Sequence, residues 1–170
     1  GPCFPRDNRA FAKFASENGV STPLAESTDQ INKFQIQHLL NTVKKYVKQG
    51  DKVGILGLSF KPNTPVIEES PGIFLIKELL KINTNINVYD SIAMETAKVE
   101  LGSSVNYSET MQDCVEKSDL VIITTSEPEF QNIDVSNNNN MTIIDCWRQL
   151  SNVNFPSNVK YHAVGLFNDV

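Results

Sequence analysis

Four short stretches of this chain combine residue types that can do chemistry. The first is GPCFPRD at 1–7, where Cys3 is followed by Arg6 and Asp7. A cysteine attacks only as its thiolate, and a nearby cation or a helix amino end stabilises that form. Arg6 and a helix expected over Asn8–Asn18 give Cys3 such surroundings, and Asp7 either caps that helix or acts as a base toward water. Read alone, a cysteine so near the end of the chain is more often inert. The second stretch is the polar loop Phe60-Lys61-Pro62-Asn63-Thr64-Pro65, where Lys61 either meets a phosphate as a point charge or is an ordinary solvated lysine. The third is Trp147-Arg148, just past an expected strand, where Arg148 either pairs with a phosphate or carboxylate or makes a surface salt bridge. The fourth joins Gly54 and Gly57, flanking the end of a strand, to Asp90 at the end of the next. This looks like half of a dinucleotide fingerprint, but the spacing is GxxG and about a dozen residues separate the strand from its helix. Pyrophosphate needs a tight turn onto a helix amino end, so close packing for the glycines and a strand-end cap for Asp90 are the plainer readings. Cys114, Cys146, His38 and His162 have no partners at catalytic spacing and read as structural.

The elements that must position these groups fall into two parts. Residues 1–50 read as helical. Phe11, Phe14 and Ala15 share one helical face, Gly19 stops that helix, and Ser27 or Thr28 caps a longer one carrying Ile31, Phe34, His38, Leu39, Thr42 and Tyr46 to about Gln49-Gly50. From Asp51 the pattern alternates. Strands are expected at Lys52–Leu58, Ile86–Asp90, Leu120–Thr124, Thr142–Asp145 and Tyr161–Gly165. Helices are expected from Ser70-Pro71 to Lys81, over Ile92–Leu101 and over Ser108–Ser118, with a loop at 136–140. Short, wholly apolar strands alternating with helices predict an α/β fold: a Rossmann-like, mostly parallel sheet with helices on both faces over 51–170, preceded by the helical segment 1–50.

Composition narrows the function. With 40% hydrophobic and 21% charged residues the chain builds a packed core. A net charge of −5 argues against a nucleic-acid-coating protein, which needs a dense basic face. No apolar run approaches the roughly 20 residues of a membrane span. Three widely spaced cysteines and two histidines offer neither a disulfide framework nor a metal site, which suits a reducing, cytoplasmic setting.

Three segments, in order, resemble the nucleotide-sugar dehydrogenases of the UDP-glucose 6-dehydrogenase family. GPCFPRD resembles the family's G-x-C-x-x-x-D nucleophile motif, KVGILGLSFKPNTPVIEESP at 52–71 its strand and F-K-x-x-T…E-S-P loop, and IIDCWR at 143–148 its strand-Asp-x-(x)-Arg signature. The resemblance implies the C-terminal part of a longer protein, starting at the nucleophile. Residues 1–50 would be the end of a central dimerisation region, and 51–170 a nucleotide-sugar (UDP)-binding domain. NAD would be bound mainly by an upstream domain outside this chain. The implied reaction oxidises a sugar alcohol to a carboxylate with two NAD⁺ in succession, through a cysteine thiohemiacetal and a thioester, in polysaccharide biosynthesis. By position Cys3 would be the nucleophile, Asp7 its acid/base partner, and Phe60, Lys61 and Arg148 substrate contacts, with Arg148 placed to within one residue. A UDP-sugar and a second copy of the chain are the implied partners, with no nucleic acid and no membrane. The family loop reads F-K-x-x-T-D-D-x-R-E-S-P. Here Pro65, Val66 and Glu68 replace the two acids and the arginine, so no cofactor contact carries over to position 68. A non-catalytic nucleotide-binding α/β module is the alternative. An independent NAD-binding domain is disfavoured by the missing GxGxxG.

Overall fold

The computed structural model describes residues 2–82, 85–138 and 140–166; Gly1 of the first motif and Asn139 of the expected 136–140 loop lie outside them. Helix α1 spans Cys3–Glu17 and so begins well before Asn8. Pro2 takes its cap position and Pro5 lies in its first turn, where a missing N–H is harmless because those N–H groups have no carbonyl to meet. Helix α2 spans Pro23–Lys44, starting ahead of the expected Ser27 or Thr28 cap and ending short of Gln49. The Thr28 hydroxyl does not cap; it donates back to the Leu24 carbonyl at 2.7 Å. The periodicity of α1 is as expected, but of its apolar trio only Ala15 is buried, while Phe11 and Phe14 face solvent.

The sheet follows. Its strands are β1 (Lys52–Leu56), β2 (Asn85–Tyr89), β3 (Asn106–Tyr107), β4 (Leu120–Ile123), β5 (Thr142–Asp145) and β6 (Lys160–Ala163). They lie in the order β3-β2-β1-β4-β5-β6, with every pair parallel. Helices α3 (Pro71–Leu80), α4 (Met94–Leu101) and α5 (Met111–Glu116) supply the crossovers, and one 3₁₀ turn, Pro128–Asn132, follows β4. The two-residue β3 and this 3₁₀ turn are too short to leave a periodic signal. Helix α5 is capped by Thr110, whose hydroxyl accepts from the Asp113 N–H, rather than by Ser108.

Alternation along the strands feeds two cores. Val53, Ile55, Leu120, Ile122 and Ile144 meet α3, α4 and the end of α2, where Leu40 and Val43 are buried. Leu56, Val121, Ile123 and Ile143 meet α5, Phe130 and Leu150 on the other face. The last turns of α2 thus belong to the core of the α/β unit.

The strand order reverses between β1 and β4, which opens a crevice at their carboxyl ends. Backbones crowd there. A Cβ on Gly72, at the start of α3, would lie 2.4 Å from the Gly57 carbonyl oxygen. One on Gly57, at φ +98°, would lie 2.1 Å from Thr125 Oγ1. Since the Gly72 neighbour is backbone, Gly72→Ala is expected to cost about 3 kcal/mol in denaturant unfolding. A loss below about 1 kcal/mol would mean that α3 can back away from β1.

Candidate functional site

The short segment that leaves β4, Thr124 to Glu127, holds the loop after β1 from one side and the turn after β5 from the other. The Thr124 hydroxyl donates to the Leu56 and Gly57 carbonyls. The buried Glu127 carboxylate accepts the Asn63 N–H at 3.0 Å. The loop closes on itself through the Phe60 N–H and the Val66 carbonyl at 2.7 Å, with Asn63 left-handed at φ 60°. Across β4, the Trp147 indole N–H donates to the Thr124 carbonyl at 2.9 Å and the Gln149 amide to the Thr125 carbonyl at 3.3 Å. Asp145, fully buried, sets that turn by accepting from the Trp147 N–H, the Leu150 N–H and the Tyr161 hydroxyl. The Tyr161 pKa is raised, chiefly by burial, then by the Asp145 charge and the bond to it. The sequence placed Trp147 beside Arg148 but gave it no role, and nothing in it pointed to Thr124 or Glu127. Thr124 acts partly through a backbone carbonyl, and a lone acid and a lone tryptophan carry no spacing.

Helix α1 approaches the same edge. Pro5 and Arg9 of α1, Ile36 and Leu39 of α2, Phe60 of the loop and Cys146 after β5 border an apolar cleft of about 650 Å³. The three motif stretches therefore meet: each contributes a residue to one cleft, although Cys3, Asp7, Lys61 and Arg148 do not line it. Its rim is ionic. Arg9 pairs with Glu69 at 2.7 Å and Asp29 at 3.3 Å, and Lys33 pairs with Asp29 at 2.6 Å. Glu69 is left-handed at φ 60°, a conformation uncommon outside glycine that tends to persist where the surroundings hold it.

Cys3 is exposed and is the first residue of α1, which puts Asp7 one turn along the helix. Asp7 pairs with Arg6 at 3.1 Å, both well exposed. The Arg6 guanidinium is held more firmly protonated, first by Asp7 through hydrogen bond and charge, then by the Cys3 charge, and least by Glu68. Glu68, in the position where the family loop has arginine, thus adds a weak negative field at Arg6 of α1. Lys61 and Arg148 are exposed and make no ion pair among the described residues, and Arg148 is left-handed at φ 58°.

The other two cysteines differ from Cys3. Burial pushes the Cys114 and Cys146 thiols up to about 12. Iodoacetamide at neutral pH is therefore expected to label Cys3 alone in the folded chain and all three after unfolding, as read by peptide mass spectrometry. Labelling of Cys146 at the rate of Cys3 would contradict this. His38 stacks on Phe34, and His162 Nδ1 meets the Tyr46 hydroxyl at 3.0 Å, both structural settings.

The crevice at the strand reversal does not fit NAD. The Asp90 carboxylate, where a ribose ligand would be, accepts four backbone N–H bonds, from Leu58, Ser59, Ile92 and Ala93. The Ser70 hydroxyl caps α3, and Gly57 and Gly72 fill the approach to its amino end. Asp90 is the strand-end cap, and the two strand glycines are packing residues. Gly54 leaves room for Ser118 and α5.

A parallel sheet in this order, with helices on both faces and its polar loops at the carboxyl edge, is a Rossmann-like α/β unit of the doubly wound class. Within that class the chain belongs to the UDP-glucose/GDP-mannose dehydrogenase family, whose UDP binding domain matches residues 54–152. It is 32% identical over 138 residues to UDP-glucose 6-dehydrogenase TuaD of Bacillus subtilis, covering 79% of this chain and 30% of the relative. It is 35% identical over 127 residues to UDP-glucose 6-dehydrogenase YwqF of the same organism, covering 74% and 29%. A solved UDP-glucose dehydrogenase from Pyrobaculum islandicum superposes with TM-score 0.81 at 28% identity, over 95% of this chain and 37% of that one. The chain thus spans about 30% of the length of these curated relatives. No helix among the described residues is long and apolar enough to cross a membrane.

Proposed function

We propose that the chain is the nucleotide-sugar-binding, nucleophile-bearing part of an NAD-dependent UDP-sugar 6-dehydrogenase of the UDP-glucose to UDP-glucuronate type. The convergence of the three motif stretches carries this reading: Pro5, Phe60 and Cys146, from segments far apart in sequence, border one cleft. Residues 1–50 are then the end of the central dimerisation region and 51–170 the nucleotide-sugar domain. Cys3 Sγ adds to the carbonyl carbon of the sugar aldehyde, so that this intermediate stays attached between the two oxidations. Asp7, one helical turn away, takes or returns the proton and later activates the water that hydrolyses the thioester. Phe60, Lys61 and Arg148 contact the substrate, the two cations meeting its phosphates. The oxidant, NAD⁺, is held outside this chain, since the crevice here does not fit it. A homodimer forms through the helical segment, where Leu24, Ile31 and Phe34 of α2 stand exposed. A reducing cytoplasm suits a free, exposed nucleophilic thiol.

Calorimetric titration of the chain tests the binding half of this reading. UDP-glucose or another UDP-sugar is expected to bind, weakly without the rest of the protein, and NAD⁺ not to bind. NAD⁺ binding with no response to any nucleotide sugar would overturn it. A second reading, a binding module without catalysis, draws support from Glu68, which sits where the family loop has arginine. It expects the same titration but an unreactive Cys3.

A further inference from the structure

The chain has one tryptophan, and its setting is unusual. Trp147 is 51% exposed. Most of the other exposed aromatics, Phe4, Phe11, Phe14 and Phe34, lie on the two leading helices; Trp147 stands at the carboxyl edge of the sheet. It is exposed without being loose. Its backbone N–H is held by Asp145 Oδ1 and its indole N–H by the Thr124 carbonyl, each at 2.9 Å. The turn that carries it is pinned again by Gln149 on Thr125 and Leu150 on Asp145. The next residue, Arg148, is left-handed. A side chain fixed at both ends has little freedom left to lose when a ligand covers it.

The chemistry of what would cover it follows. The one polar atom of the indole is already bonded, so the ring offers a π-face and no hydrogen bond of its own. Such a face suits a flat heterocycle in offset stacking. Arg148, adjacent and without an ion-pair partner among the described residues, offers a cation for phosphate. The same β4 exit that holds Trp147 also holds the Phe60–Val66 loop, through Glu127 and Asn63. Trp147 therefore shares its support with residues already proposed to contact the substrate.

We propose that Trp147 is the stacking platform for the base of the nucleotide, with Arg148 beside it for the phosphates. This rests on the nucleotide-sugar reading above and adds to it the group that holds the base. Every base has a π-face, so this platform accepts uracil and guanine alike, and selectivity between them lies with other residues.

As the sole tryptophan, Trp147 reports on itself. The chain is titrated with UDP, GDP and, as a base-free control, pyrophosphate, following tryptophan fluorescence and calorimetric heat in parallel. UDP and GDP are expected to quench saturably, with the calorimetric midpoint, and pyrophosphate not to quench. Trp147→Ala is expected to weaken nucleotide binding about ten- to a hundredfold by calorimetry. Trp147→Phe keeps a ring but loses the indole N–H bond, and is expected to recover most of the affinity; this separates stacking from anchoring. Circular dichroism checks that both variants fold. Nucleotide heat without quenching, equal quenching by pyrophosphate, or unchanged affinity in a folded Trp147→Ala chain overturns the platform and leaves nucleotide binding standing. No heat from either nucleotide overturns the nucleotide-binding reading and the platform with it.

Discussion

Asp90→Ala is expected to destabilise the chain by about 3–5 kcal/mol in denaturant unfolding, the largest loss from any single polar truncation here. The carboxylate is buried and accepts from Leu58 and Ser59 on the β1 exit and from Ile92 and Ala93 ahead of α4. Removing it leaves four donors without their acceptor, and only the bond from the Ile92 N–H is part-buried while the other three are buried. Hydrogen bonds to a charged acceptor contribute about 1.5–3 kcal/mol each, and those that water replaces return part of that. Asp90→Asn keeps the shape but lacks the charge and turns one oxygen into a donor, so it should lose about half as much. The consequence extends to the site, because Leu58 and Ser59 lead directly into Phe60. Any substrate affinity should fall along with stability. A loss under about 1 kcal/mol would mean that water enters the crevice freely and that Asp90 is not what shapes it.

Cys3→Ala in the full-length protein is expected to do the opposite: to leave stability almost unchanged and to remove activity. Cys3 is exposed and touches no core, so unfolding should move by less than about 0.5 kcal/mol. Overall oxidation should fall by more than about a thousandfold, since no other thiol can take its place. Cys114 is buried, and the Cys146 thiol is pushed up to about 12 by burial. Asp7→Asn should cost about a hundredfold, the lower end of what a positioned acid/base group contributes. Steady-state rates beside a thermal melt check both. A folded Cys3→Ala enzyme that keeps its rate would remove the covalent mechanism.

The α/β part was legible because physics marks it plainly. Leu120–Ile123 is buried at every position, so a doubly covered strand reads as an unbroken apolar run. Ser70-Pro71 caps α3 as the residue types predict. The leading helices were harder. Prolines at 2 and 5 look like helix breakers but fall at the cap and in the first turn of α1, and Thr28 looks like a cap but bonds back along α2. The site was half legible. The motif stretches at 1–7, 52–71 and 143–148 are visible as residues, and the fold brings them to one edge. The segment that fastens the second to the third was silent, because Thr124 and Thr125 work partly through carbonyls that every residue has.

A two-stage oxidation served by Cys3, with its substrate held by this chain, has a fixed stoichiometry. Counting NADH against nucleotide sugar consumed by the full-length protein, with UDP-sugars and GDP-mannose in turn, tests it most directly. Two NADH per UDP-sugar are expected from the unaltered protein, and no second NADH from the Cys3→Ala variant, which cannot hold the aldehyde as a thiohemiacetal. A single NADH per sugar with free aldehyde released, or no NADH from a folded protein with any sugar, would contradict it.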